Sequence, residues 1–332
     1  MTNNTIFVKT EVTDQNKFQA LDTLLQESHF WKQLASTCKA KQKTNSTCNI
    51  IIKPNISIAS QKSLLSYTDP ELVNHLVSRL HEKKYKTVAI VESENMYSIG
   101  FPEHTPDRVG KNLGYKYPIT NLTADSEQKQ CFTSPDTNIC LSHKNLNTDF
   151  LVNFPKGRNH CIFNVTGALK NLFGLIPNRD KMGEFHNKRS GLNVPEAIKF
   201  VYDKHPPDFT IMDWTKSIDG EDEHFAKEPL TEYKTVGRLI AGQNAIAVDM
   251  YLHQKMGYDV FDSPIMNQFN TTITLQVKGD QLTPLTDWKP VPMLTKIQFK
   301  TLLSVTDNIR KIPTMEDRVK NQFRKMVMMD VI

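Results

Sequence analysis

The sequence predicts an α/β protein with a largely parallel central sheet and flanking helices, an architecture that can also take the form of two lobes around a crevice. Two observations predict it. Short apolar runs recur between amphipathic stretches of helical period, the strand–helix–strand order of a parallel sheet. The composition, 39 % hydrophobic with 3 Trp, 9 Tyr and 17 Phe in 332 residues, is that of an ordered chain with a substantial core. No internal repeat of fixed period is present, which sets solenoid architectures aside.

The elements follow in order. Residues 17–35 carry Phe18, Leu21, Leu24, Leu25 and Trp31 at helical intervals, and a Lys-, Thr- and Asn-rich joint covers 39–49. The apolar run at 49–53 reads as a strand that stops at Lys53-Pro54-Asn55, because proline cannot continue a central ladder. Residues 70–82 read as a helix, with Asp69 as cap and Pro70 at the first helical position. A strand is predicted at 86–92, and small elements with site-forming loops over 93–147. Strands at 149–154, 208–213 and 236–241 alternate with helices at 193–204 and 244–257, the last closed by Gly257. Residues 271–277 alternate like an edge or antiparallel strand. The chain accordingly divides into an N-terminal helical extension (1–47), an α/β domain (48–280) and a basic C-terminal extension (281–332).

Composition also narrows the function classes. No stretch reaches the length of a membrane span, and residues 1–15 lack a basic start followed by an apolar block, so a cytoplasmic chain is expected. Five cysteines without a CxxC pair argue against a disulfide-built scaffold, a tetrathiolate zinc site or a ferredoxin module. The net charge is +5, yet residues 156–189 hold seven Lys or Arg against two acids. Neither this cluster nor the basic C-terminal segment carries the interleaved aromatics of a nucleic-acid platform, which makes nucleic acid an unlikely partner.

The densest chemistry lies in that basic segment. Lys156, Arg158, His160, Thr166, Gly167, Lys170, Asn171, Arg179 and His186 follow an apolar strand among glycines, a pattern that suits an anion crevice at the carboxyl ends of an open sheet. A helix starting near 165 would put Thr166 and Lys170 on one face, with its amino terminus and the surrounding cations receiving a phosphate or carboxylate. His160 and His186 are the side chains suited to proton exchange near neutrality. Cys161, although next to His160, reads as buried and inert.

The order of K-P-N at 53–55, F-P-K-x-R-x-H at 154–160 and T-G-A-L-K-N-L-F-G-L-I-P at 166–177, then Arg179 and His186, resembles the family called domain of unknown function 362. The resemblance runs over roughly 48–278 and marks Lys53, Asn55, Lys156, His160, Thr166, Gly167, Lys170, Asn171, Gly174, Arg179 and His186 as motif positions. It adds Asp213 at the end of the later strand, and Gly242 and Asp249 around an alanine-rich helix. Two features depart from the family: the ferredoxin-like cysteine module of many relatives is absent, and the loop after Asp213 holds only Gly220. The His and Lys arrangement is also distantly similar to the nickel-pincer lactate racemase family, where such residues hold a nickel-bearing nucleotide.

The expected function is an enzyme acting on a small phosphorylated or carboxylated metabolite, with a non-catalytic anion-binding or regulatory module as the alternative. The expected catalytic residues are His160, Lys170, His186 and Asp213. The expected ligand contacts are Lys53, Asn55, Lys156, Arg158, Thr166, Gly167, Asn171, Arg179 and Asp249, and no cofactor, metal or oligomeric state is named.

Overall fold

The computed structural model describes residues 4–56, 66–95, 98, 103–124, 129–135, 137–178, 181–186, 188–220, 234–280, 285, 288–298 and 301. Its strands are β1 (Thr5–Lys9), β2 (Ile50–Pro54), β3 (Val88–Glu92), β4 (Ile119–Asn121), β5 (Lys129–Ser134), β6 (Thr137–Ser142), β7 (Phe150–Phe154), β8 (Arg158–His160), β9 (Asn164–Thr166), β10 (Phe209–Ser217), β11 (Lys234–Gly242) and β12 (Gln276–Gly279). Eight of them form one sheet in the order β12-β1-β11-β10-β7-β2-β3-β4.

The sheet is largely parallel, as expected. Strands β4, β3, β2, β7 and β10 run parallel, and β12 is parallel to β1. Only β11 is reversed, pairing antiparallel with β10 and β1. The five expected strands are all present, whereas β1 and β4 are additions. β1 places the start of the chain inside the main sheet, where its Ile6 and Val8 are fully buried. Residues 271–277 contribute only their end to an edge strand, β12.

Helices cover both faces, which is why the central strands read as continuous apolar runs instead of alternating ones. Ile50, Ile52, Phe150, Val152, Phe209 and Ile211 pack into the core layer of the helices Lys17–Glu27, Phe30–Ala40 and Pro70–Glu82. Ile51, Val91, Leu151 and Met212 face the opposite layer, which contains the helices Val194–Lys204 and Ala245–Lys255. The expected helix at 17–35 is two helices, broken at His29, whose φ of 59° lies in the left-handed region. Asp69 caps Pro70–Glu82 by accepting from the Glu71 N–H, and Asn193 and Glu196 form a capping box on Val194–Lys204.

Two local disulfides are present, pairs that the cysteine count did not single out. Cys38–Cys48 ties the end of a helix to the approach of β2, and Cys131–Cys140 bridges directly opposed residues of the β5–β6 hairpin. Both close short loops, because cross-strand and helix-end neighbours bring the Cβ atoms together without long-range folding. Cys161 is buried and belongs to neither disulfide. No helix among the described residues is long and apolar enough to cross a membrane.

Candidate functional site at the strand carboxyl ends

The carboxyl ends of β2, β3, β7 and β10 lie side by side, so the segments leaving them share one crest. Thr68 fastens that crest: its hydroxyl donates to Phe154 O (2.6 Å) and accepts from the Asn55 N–H (2.9 Å). Lys53 and Asn153 are register partners, and their side chains meet the turn Ala168–Asn171. Lys53 Nζ donates to Pro54 O at 2.7 Å, Glu92 Oε2 at 2.6 Å and Asn171 Oδ1 at 3.3 Å, one acceptor for each of its three protons. Asn171 Nδ2 donates to Lys53 O (2.9 Å) and Asn153 Oδ1 (2.8 Å). Gly174 is required by proximity here, since a Cβ would lie 2.3 Å from Glu92 Oε1 and 2.6 Å from Lys53 Nζ.

A second buried lysine completes the group. Lys181 is 7 % exposed; its Nζ donates to Ser93 Oγ, whose hydroxyl donates to Gly174 O (2.8 Å). The ammonium also lies 5.5 Å from the centre of the Phe173 ring. Among the described residues no carboxylate is within salt-bridge distance of it. Burial, reinforced by Lys53 and Lys170, pulls its pKa down to about 7 against the attraction of Glu92 and Glu94.

On the other face, Lys156 Nζ donates to Asp213 Oδ2 at 2.9 Å in a pair that is 2 % and 0 % exposed. Asp213 also accepts from the Asp69 N–H (2.9 Å), the Thr215 N–H (3.0 Å) and the Thr215 hydroxyl (2.7 Å). Burial pushes its carboxyl up, but Lys156 and these donors outweigh burial and hold it below the usual range. Alternation along β10 puts Asp213 on the side of Ile211, away from Met212 and Trp214.

The expected helix carrying Thr166 and Lys170 is corrected. Thr166 ends the short strand β9, and only the single turn Ala168–Asn171 follows before a 3₁₀ turn at Leu172–Leu175. The amino terminus of that turn is already occupied by a carboxyl group of the protein itself. Asp249 accepts from the Ala168 N–H at 2.6 Å and the Leu169 N–H at 2.9 Å, and a Cβ on Gly167 would lie 2.2 Å from its Oδ1. Burial pushes the Asp249 carboxyl up to about 7 despite those two bonds.

His160, 6 % exposed, accepts through Nδ1 from the Ile162 N–H at 3.0 Å and the Phe163 N–H at 3.4 Å. Phe163 links the histidines: its ring centre is 5.0 Å from that of His160 and 6.4 Å from that of His186. Arg158 is buried in the same β8–β9 hairpin, donating to Asn159 O at 3.4 Å, and Lys170 is half-buried. Arg179 lies outside the described residues. Among the expected residues, Lys53, Asn171 and Lys170 lie near Lys181, Lys156 pairs with Asp213 on the other face, His160 and His186 flank Phe163, Gly167 meets Asp249, and Asn55 is held by Thr68. Glu92, Ser93, Thr68 and Lys181 were not among the expected site residues. Strand-end position is a signal for Glu92 and Ser93, and Lys181 stood within the basic segment already singled out. No group of three or more His, Cys, Asp or Glu side chains among the described residues could hold a metal ion.

This is an α/β protein with a buried cluster of Lys, Arg, His, Asp and Glu at and beside the carboxyl crest of a mostly parallel sheet. The family model described as "Domain of unknown function (DUF362)" matches residues 50–254, more than half of the chain, and the protein belongs to that family. Among solved structures it is similar to the lactate racemase apoprotein from Thermoanaerobacterium thermosaccharolyticum, at 13 % identity and a TM-score of 0.38. That alignment covers 63 % of this chain and 49 % of the other, so the match spans about half the length of that protein. No curated protein matches.

Proposed function

We propose that the protein is an enzyme that binds a small phosphorylated or carboxylated metabolite at the crest and moves a proton on it. The observation that carries the reading is the setting of Lys181: it is buried, its acceptor among the described residues is the Ser93 hydroxyl, Lys53 and Lys170 lie near it, and of the two carboxylates that attract it Glu92 is already bound to Lys53. A buried ammonium with so little compensation is unfavourable in the empty protein and is relieved by a bound anion. In this reading Lys170 and Lys181 hold the anionic group, assisted by Arg158, and His160 or His186 exchanges the proton. Lys53, Asn55, Lys156, Thr166, Gly167, Asn171, Asp213 and Asp249 hold the crest in shape.

A second reading, an anion-binding or regulatory module without turnover, is favoured by how many polar groups of the crest are consumed by framework bonds. Titration calorimetry with phosphate, pyrophosphate and small mono- and dicarboxylates at pH 7 tests the shared anion site. Binding of at least one class, weakened about tenfold or more in Lys181→Met, is expected. Failure of every anion to bind the intact chain overturns both readings.

A further inference from the structure

Three buried lysines of this protein differ in what holds them. Lys53 has three protein acceptors, and Lys156 has a carboxylate. Lys181 is nearly as deeply placed, yet among the described residues it has one hydroxyl acceptor, an aromatic face and no carboxylate within salt-bridge distance, with Glu92 and Glu94 attracting it from farther off and Lys53 and Lys170 repelling it. A structural lysine at such depth would be given a carboxylate, whereas a purely electrostatic anion contact would keep its charge more readily as arginine. Burial beside other cations is the environment that converts a lysine into a neutral, nucleophilic amine.

We propose that Lys181 condenses through its Nζ with the carbonyl carbon of a small oxo-carboxylate, forming an imine. This rests on the anion site proposed above, with the carboxylate of the ligand held beside Lys170 and its carbonyl presented to Lys181. The amine lone pair adds to the carbonyl carbon, and the resulting carbinolamine loses its hydroxyl and one nitrogen-bound proton as water. The C=N bond replaces C=O, and no oxidant or reductant is consumed. Ser93 fixes the direction of the amine: its own proton is given to Gly174 O, so its oxygen accepts from Nζ. The buried setting limits the water that would return the imine to amine and carbonyl. The lowered pKa of Lys181 leaves a large share of the group unprotonated at neutrality.

The test incubates the full chain with pyruvate or glyoxylate and sodium cyanoborohydride at pH 7, then maps adducts by peptide mass. Lys181 is expected to be modified more than about tenfold faster than exposed lysines such as Lys39 and Lys43. The rate should rise between pH 6 and 8, and Lys181→Arg, checked for folding by circular dichroism, should lose that adduct alone. Calorimetry with the same oxo acids and with phosphate runs in parallel. Anion binding with Lys181 unmodified overturns the imine and leaves the anion site standing. Absence of both binding and adduct overturns the two together.

Discussion

Replacing Lys181 by Met is expected to stabilise the empty protein at pH 6 and to lose that advantage near pH 10.5. A fall in the pKa from 10.5 to about 7 means that the folded site disfavours the ammonium. At about 1.4 kcal/mol per pH unit this amounts to roughly 5 kcal/mol, an upper bound because a charged site relaxes and admits water. Methionine keeps the length of the side chain and its contact with the Phe173 ring, and it gives up the bond to Ser93, worth about 1 kcal/mol. A net gain of ~2–4 kcal/mol follows at pH 6. Between pH 7 and 10.5 the unfolded chain binds the proton and the folded chain does not, so the wild-type stability from this group rises with pH across that window. The variant lacks that slope. Urea unfolding of both proteins at pH 6, 8 and 10 measures it. A variant less stable than wild type at pH 6, with a parallel pH profile, would show a well-satisfied lysine and refute the reasoning.

Two further outcomes are expected. Lys156→Met leaves Asp213 buried without its ammonium and should cost about 3–5 kcal/mol at pH 7. Because Asp213 is held below the usual carboxylate range, the stability of the pair is present above about pH 4 and lost as the pH falls through the folded pKa. The melting-temperature gap between wild type and variant should therefore narrow in acid, and a gap independent of pH would contradict the assignment. Thiol titration in denaturant without reductant should find one thiol, Cys161, and five after reduction. Five thiols before reduction, in protein from an oxidising preparation, would contradict both cystine pairs. Such pairs persist in oxidising surroundings.

Much of the frame was legible because it depends on neighbours in the chain. Pro54 ends a strand wherever that strand lies, and Asp69 with Pro70 starts a helix by local geometry. The apolar runs at 49–53, 149–154 and 208–213 are long enough to read as buried strands, and the crossovers between them imply a parallel sheet whose carboxyl ends converge. The crest at 53–55 and 154–156 could thus be located from sequence. β1 could not, because its five residues acquire strand structure only by pairing with β11 and β12, both more than two hundred residues away.

The charges behave in the opposite way. By itself the sequence determined that cations gather at 156–189 and that Lys53 stands at a strand end. It could not say which of them are already neutralised. Lys53 meets Glu92, 39 residues on, Lys156 meets Asp213 at a separation of 57, and Asp249 reaches back 81 residues to the Ala168 N–H. These partners are set by separations under 3 Å and by the removal of water, both products of the folded packing and neither a property of residue type or spacing. Tertiary structure therefore placed Lys53 and Lys156 in buried ion pairs, set Asp249 against the Ala168 and Leu169 N–H groups, and left Lys181, among the described residues, with a hydroxyl acceptor and no carboxylate within salt-bridge distance.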